Sequence, residues 1–329
     1  MRLTFHVGMG KTGTTAIQHA LAQSGEELAA ASLRYVGMWA PWIGPEHDGP
    51  GPFHRFLQLP PERLRAEAGR CLAWAEEVAA EAGATTLLHS NEAFHAVPFF
   101  QALAERAEVR LIAFVRAPAR WLPSAYLQWG VVHKTNAGPV APFAATGRRL
   151  MAQYREIQAL HAGLGSLLEM RPYPEGGDVL DDFGEAIGVR LRRPEGRPQS
   201  RPGFVEALLR AAFNSGFPDP VLPRTFDEAM RSGRGGRPSL PASRRLQELF
   251  DMGEMPQVLQ ENAALLAWFE KVGGLDLGAP PSPPEALPDR AELADALLGA
   301  LVDLAAAQGR EVAALRARLA EVEARLREP

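Results

Sequence analysis

With one cysteine and three lysines in 329 residues, this chain lacks the raw material for several kinds of protein. Cys71 alone excludes an internal disulfide framework and leaves no thiolate set for zinc, so a reducing, cytoplasmic setting is expected. No apolar run is long enough for a transmembrane segment, and the run between Arg2 and Gly8 is too short for a signal-peptide core. Neither sign of charge dominates: 35 Lys and Arg against 39 Asp and Glu leave −4. That balance supplies no general basic field, and nucleic acid is not an expected partner.

What is present suits one large folded domain, with or without an appendage. Hydrophobic residues make up 46% of the chain, enough for a full-sized core. Short apolar runs at 2–7, 85–89, 109–115 and 167–170 alternate with helical patterns at 15–31, 62–82 and 145–163. Such alternation predicts a three-layer α/β/α fold around a parallel sheet. Residues 203–214 and 256–272 have helical apolar spacing and complete a single domain over 1–275. A proline-rich linker, 276–288, then leads to 289–329, where Leu298, Leu301, Ala305, Val312, Leu315, Leu319, Val322 and Leu326 follow a heptad broken at Gln308. This pattern predicts a long C-terminal helix, either lying on its own domain or forming a coiled coil with a second copy or a partner helix.

Chemistry concentrates where the first strand ends. Gly8, Gly10 and Gly13 allow a tight turn whose N–H groups point inward, and the helix that follows adds the positive end of its dipole. Lys11 can reach a bound anion, and the hydroxyls of Thr12, Thr14 and Thr15 can donate to it. The nucleotide-triphosphatase spacing would need glycine at position 5, where Phe5 stands. Arg116, not an aspartate, follows the strand ending at Val115, so the usual magnesium partner is missing there and no metal is expected. Arg116 sits at a strand's C-terminal end, where parallel sheets bind ligands, and Ser124 follows on a helix entered at Pro118. Pro123 predicts a kink or a later start for that helix.

Lys11-Thr12-Gly13-Thr14-Thr15 after the first strand, with Arg116-x-Pro118-x-Arg120-x-x-x-Ser124-x-Tyr126 after an inner one, resembles the sulfotransferases that use 3′-phosphoadenosine-5′-phosphosulfate (PAPS). The resemblance implies that Lys11, Thr12, Gly13, Thr14 and Thr15 hold the 5′-phosphosulfate and that Arg116 and Ser124 hold the 3′-phosphate. It implies transfer of a sulfuryl group to a hydroxyl, on a glycan or small-molecule acceptor, with release of 3′-phosphoadenosine-5′-phosphate (PAP). Arg171-Pro-Tyr173, Ser200, Glu261-Asn262 and Trp268-Phe269 echo later family segments. The glycine-rich loop that closes over the donor in eukaryotic members has no clear counterpart, and Arg231–Arg237 is the nearest substitute.

Sulfuryl transfer needs a base for the acceptor proton. Glu92, just past a strand expected beside the first, is the leading candidate. His54 is second, with His89, Glu46 and His47 behind. Trp39, Trp42, Phe53 and Phe56 are candidates to stack on a sugar ring. Two other readings remain: a P-loop nucleotide kinase or NTPase, and a non-catalytic assembly protein working through its C-terminal helix.

Overall fold

A computed structural model describes residues 1–39, 49–194, 203–232, 248–278 and 290–327. Five strands, β1 (Arg2–Gly8), β2 (Leu33–Tyr35), β3 (Thr86–Ser90), β4 (Glu108–Val115) and β5 (Leu168–Pro172), form one all-parallel sheet in the order β2-β3-β1-β4-β5. The helices are α1 (Thr14–Gln23), α2 (Gly25–Ala30), α3 (Pro50–Leu57), α4 (Pro61–Ala82), α5 (Val97–Ala104), α6 (Pro118–Tyr126), α7 (Phe143–Leu150), α8 (Ala152–Leu164), α9 (Val179–Ile187), α10 (Phe204–Ser215), α11 (Pro223–Ser232), α12 (Met255–Glu261), α13 (Ala263–Gly273) and α14 (Arg290–Arg327).

Residues 1–125, 147–200 and 253–282 form one compact unit, and residues 126–146, 201–252 and 283–329 form another. The first unit holds the whole sheet. One face of the sheet buries α3, α4, α5 and α8 through Phe56, Cys71, Phe99, Phe100 and Leu160, and the other buries α1, α2 and α9 through Ile17, Leu21, Leu28 and Phe183. Strands covered on both faces are mainly apolar: β4 runs unbroken from Leu111 to Val115, and β1 buries Thr4 and His6 among Leu3, Phe5 and Val7. The layering is the expected α/β/α.

Several boundaries differ from the sequence pattern, each for a local reason. The helix expected over 15–31 breaks at Ser24, whose hydroxyl donates to Ala20 O at 2.7 Å and whose backbone leaves the helical region. The stretch 256–272 breaks at Asn262, whose amide donates back to Val258 O at 2.8 Å and whose carbonyl accepts from Arg155 at 2.7 Å. Residues 50–57 form a helix despite their prolines and glycine, because Pro50 occupies the first turn and needs no helical N–H partner. Pro123 lies inside α6 without ending it, and the chain continues as a π-helical turn, Leu127–Val132.

In the second unit, the π-helical turn and α10 are joined where the Asn214 amide donates to Val131 O at 2.6 Å. Lys134, fully buried, donates to Gly138 O at 2.5 Å and Phe217 O at 2.6 Å. The segment from Lys134 to Gly138 is thus pinned to the chain near Phe217 by a structural lysine. Most of the linker 276–288, residues 233–237 of the Arg231–Arg237 segment, Ser200, Trp42, Glu46 and His47 lie outside the described residues.

Candidate functional site

The chain passes from β1 into α1 on one face of the sheet and from β3 towards α5 on the other. The segments after these neighbouring strands therefore part, and the crevice between them is where open α/β sheets bind ligands. The two rims are stitched together by backbone: Asn91 N–H donates to His6 O at 2.9 Å, and Gly8 N–H to Glu92 O at 3.1 Å. The Asn91 side chain accepts from Ala93 N–H at 3.0 Å and donates to Met38 O at 2.8 Å, which fixes the turn carrying Glu92.

The turn from Met9 to Gly13 is tightly wound. Gly8 and Gly13 have φ of 125° and 81°, and Lys11, a non-glycine residue, has φ of 65°. The left-handed conformation is uncommon for lysine and costs of order 1 kcal/mol or more, so the surrounding contacts hold it there. Those contacts are specific. Trp121 Nε1 donates to Gly10 O at 2.8 Å, His95 Nε2 lies 3.0 Å from Gly8 O, and Thr12 Oγ1 donates to Met9 O at 2.6 Å. Gly13 is required by space as well as by φ: a Cβ there would stand 2.6 Å from Val179 Cγ1 on α9.

The Thr12 hydroxyl, expected to donate to an anion, donates to Met9 O in this structure. Thr14 is different. It is 5% exposed, and its Oγ1 has no hydrogen-bond partner. No side chain caps α1, so its first N–H groups also lack a side-chain acceptor. Thr15 is exposed on the same turn. Lys11 is half-buried; burial pushes its ammonium pKa down, and the nearby Glu92 carboxylate pulls partly the other way.

Arg116 follows the last residue of β4 as expected, but its guanidinium is engaged. Nε and Nη2 donate to the two carboxylate oxygens of Glu175 at 2.8 and 2.9 Å, and the Tyr173 ring lies 4.8 Å away. Burial works against the Arg116 charge, yet the Glu175 hydrogen bonds and the neighbouring charges raise its pKa overall. Buried Tyr154 donates to Arg116 O at 2.5 Å and holds the backbone there. Ser124 lies half-buried on α6.

The base candidates separate cleanly. Glu92 stands beside the turn, within electrostatic reach of Lys11. It does not cap α5, which begins at Val97 with no side-chain cap. His54 faces outward on α3, its Nε2 3.0 Å from Gln58 Nε2, while its neighbours Phe53 and Phe56 enter the core. His89 is buried among Phe5, Phe53 and Phe94, where burial holds its pKa near 3. Phe53 and Phe56 are core residues and not a sugar platform; Trp39 packs partly buried against the same core.

Among the later segments, Glu261 pairs with Arg148 at 2.8 Å and Phe269 packs edge-on to Tyr154 at 5.8 Å; both are architectural. Sequence reasoning missed His95, Trp121, Val179 and Glu175. Of these, Trp121 left a signal: a buried indole N–H needs an acceptor, and the residue follows Arg120 directly. Compared with known proteins, the chain matches no family model and has no significant match among curated proteins.

Proposed function

We propose that this chain is a sulfotransferase that moves the sulfuryl group of PAPS to an acceptor hydroxyl, on a P-loop-like body working in the cytoplasm. The observation that carries the reading is the turn after β1. A strained Lys11, an uncapped helix N-terminus and a buried Thr14 hydroxyl without a partner meet there. An unpaired buried hydroxyl costs about 1–3 kcal/mol, a penalty that an oxyanion ligand removes. Lys11 and the N–H groups of Thr12, Gly13, Thr14 and Thr15 then receive the 5′-phosphosulfate, as the resemblance implies, and Arg116 with Ser124 receives the 3′-phosphate.

In the reaction, the acceptor oxygen attacks sulfur in line, the S–O bond to the 5′-phosphate breaks, and PAP leaves with the electron pair. Glu92 takes the acceptor's proton. Lys11 and the α1 N-terminus offset the charge that grows on the departing phosphate oxygen. The acceptor class that fits this chemistry is an alcohol of a carbohydrate or small metabolite.

One observation favours a second reading, a nucleotide kinase or NTPase: Glu175 already fills the Arg116 fork, which leaves a single open anion site, as a donor phosphorylated at one end needs. Calorimetric titration with PAP and with ATP plus magnesium separates the two. The sulfotransferase reading expects PAP to bind, with Lys11→Ala and Arg116→Ala each weakening it by roughly 10-fold or more. Binding of magnesium ATP with no binding of PAP would overturn it.

A further inference from the structure

The large apolar residues of α14 face solvent. Leu298, Leu301, Val312, Leu315, Leu319 and Val322 are each between 46% and 62% exposed. They occupy alternating a and d positions of one heptad register, with Leu298, Ala305, Val312 and Leu319 at a and Leu301, Gln308, Leu315 and Val322 at d. Gln308 ties the helix to its own unit, its amide donating to Met230 O at 3.1 Å. Beyond Gly309 the character of the helix changes. Apolar residues larger than alanine are confined to a and d, and the flanking positions carry charge: Glu311 and Arg318 at g, Arg316 at e. A wide apolar stripe suits a helix lying on a globular body, whereas a strict a/d seam with charged flanks suits another helix.

We infer that α14 of one chain pairs with α14 of a second copy as a parallel, in-register coiled coil. The charges choose the partner and its direction. In a parallel pair each g position meets the e position five residues on in the other strand, so Glu311 faces Arg316 of the second copy, twice by symmetry. An antiparallel pair that stacks Val312 on Val322 and Leu315 on Leu319 sets Arg316 against Arg316 and Arg318 against Arg318. Sliding that pair by one heptad relieves the repulsion but presses the Gln308 amide onto Leu319. The in-register parallel pair runs its seam from Val312 to Val322, beyond the turn where Gln308 is held on Met230 O, so it asks nothing of that amide and keeps each Glu311 on an Arg316.

The inference stands apart from the sulfotransferase reading. Because the only cysteine, Cys71, is buried and its thiol pKa is raised by burial, new thiols on α14 report contacts directly. The full chain is expected to be a dimer by light scattering at tens of micromolar. Leu315→Cys is expected to form a covalent dimer on mild oxidation, and Ala313→Cys, on the outer face, to form no more than the parent chain. The double variant Val312→Glu/Leu319→Glu is expected to be monomeric with its far-ultraviolet dichroism and melting midpoint largely kept. A monomeric parent chain overturns the inference. So does equal cross-linking through positions 313 and 315, and so does a mixture of Leu315→Cys and Leu319→Cys chains that joins 315 to 319 in preference to either self-product.

Discussion

Glu92 owes its place to its backbone: its carbonyl accepts the Gly8 amide at 3.1 Å, so its carboxylate cannot drift from the turn that holds Lys11. This attachment, with Lys11 close enough to feel its charge, is what suits Glu92 to the role of base under the sulfotransferase reading. His54, the second candidate from the sequence, points away on α3. Residue type and spacing cannot separate two such candidates. What separates them is which face of a short helix enters the core, and Phe53 and Phe56 decide that against His54. Glu92→Gln is accordingly expected to lower kcat by about 10²–10⁴-fold with PAP affinity within a few-fold of the parent's, and His54→Ala to leave both within a few-fold. Steady-state sulfation of a model alcohol together with PAP titration tests this. Equal losses in the two variants would remove Glu92 from its role.

At the scale of elements, the turn after β1 and the strands around it were legible because parallel strands buried on both faces leave short, mainly apolar runs. The short edge strand Leu33–Tyr35 was not, since three half-exposed residues carry no period, and α3 was hidden by its prolines. Least legible of all was the pairing of Arg116, after β4, with Glu175, after β5. These residues are 59 apart in sequence and meet only because β4 and β5 are neighbours. The pair has a functional consequence under the sulfotransferase reading. A carboxylate in the bidentate fork of Arg116 occupies the geometry that a phosphate would use, so the 3′-phosphate must displace it. Glu175→Gln keeps the size and removes the charge. PAP is expected to bind about 3- to 10-fold tighter to this variant, the range that roughly 1 kcal/mol from a partly exposed ion pair allows. A ligand lacking the 3′-phosphate is expected to bind it unchanged. Weaker PAP binding would instead make Glu175 a support for Arg116 and not its competitor.

For the whole molecule, the buried polar groups set how it responds to acid. His6 on β1 contacts Ser90 Oγ at 2.8 Å through Nδ1, while its Nε2 has no partner and its ring lies against Phe183 and Phe114. Burial holds the pKa of His6, like that of His89, near 3, against about 6.5 in an unfolded chain. Below about pH 6.5 the unfolded chain therefore takes up protons that the folded chain refuses, so stability is full above that pH and falls towards pH 3. Each histidine contributes a slope of up to about 1.4 kcal/mol per pH unit within this window. Half-buried His133, its pKa lowered by burial, acts in the same direction. Carboxylates held low by arginine partners, such as Glu169 beside Arg110 and Arg171, lose their contribution only below the ordinary carboxylate pKa of about 4.5, so the range from pH 6.5 to 5 isolates the histidines. Between pH 7.5 and pH 5 the loss is expected to reach roughly 4 kcal/mol, a large part of the 5–15 kcal/mol usual for a folded protein. Urea midpoints across this range measure it. His89→Phe, placed among Phe5, Phe53 and Phe94, is expected to lower stability at pH 7.5 and to make the profile about half as steep. A profile that stays flat from pH 7 to pH 5 would mean that both rings are hydrated in the folded chain, and the packing described around β1 and β3 would then be wrong.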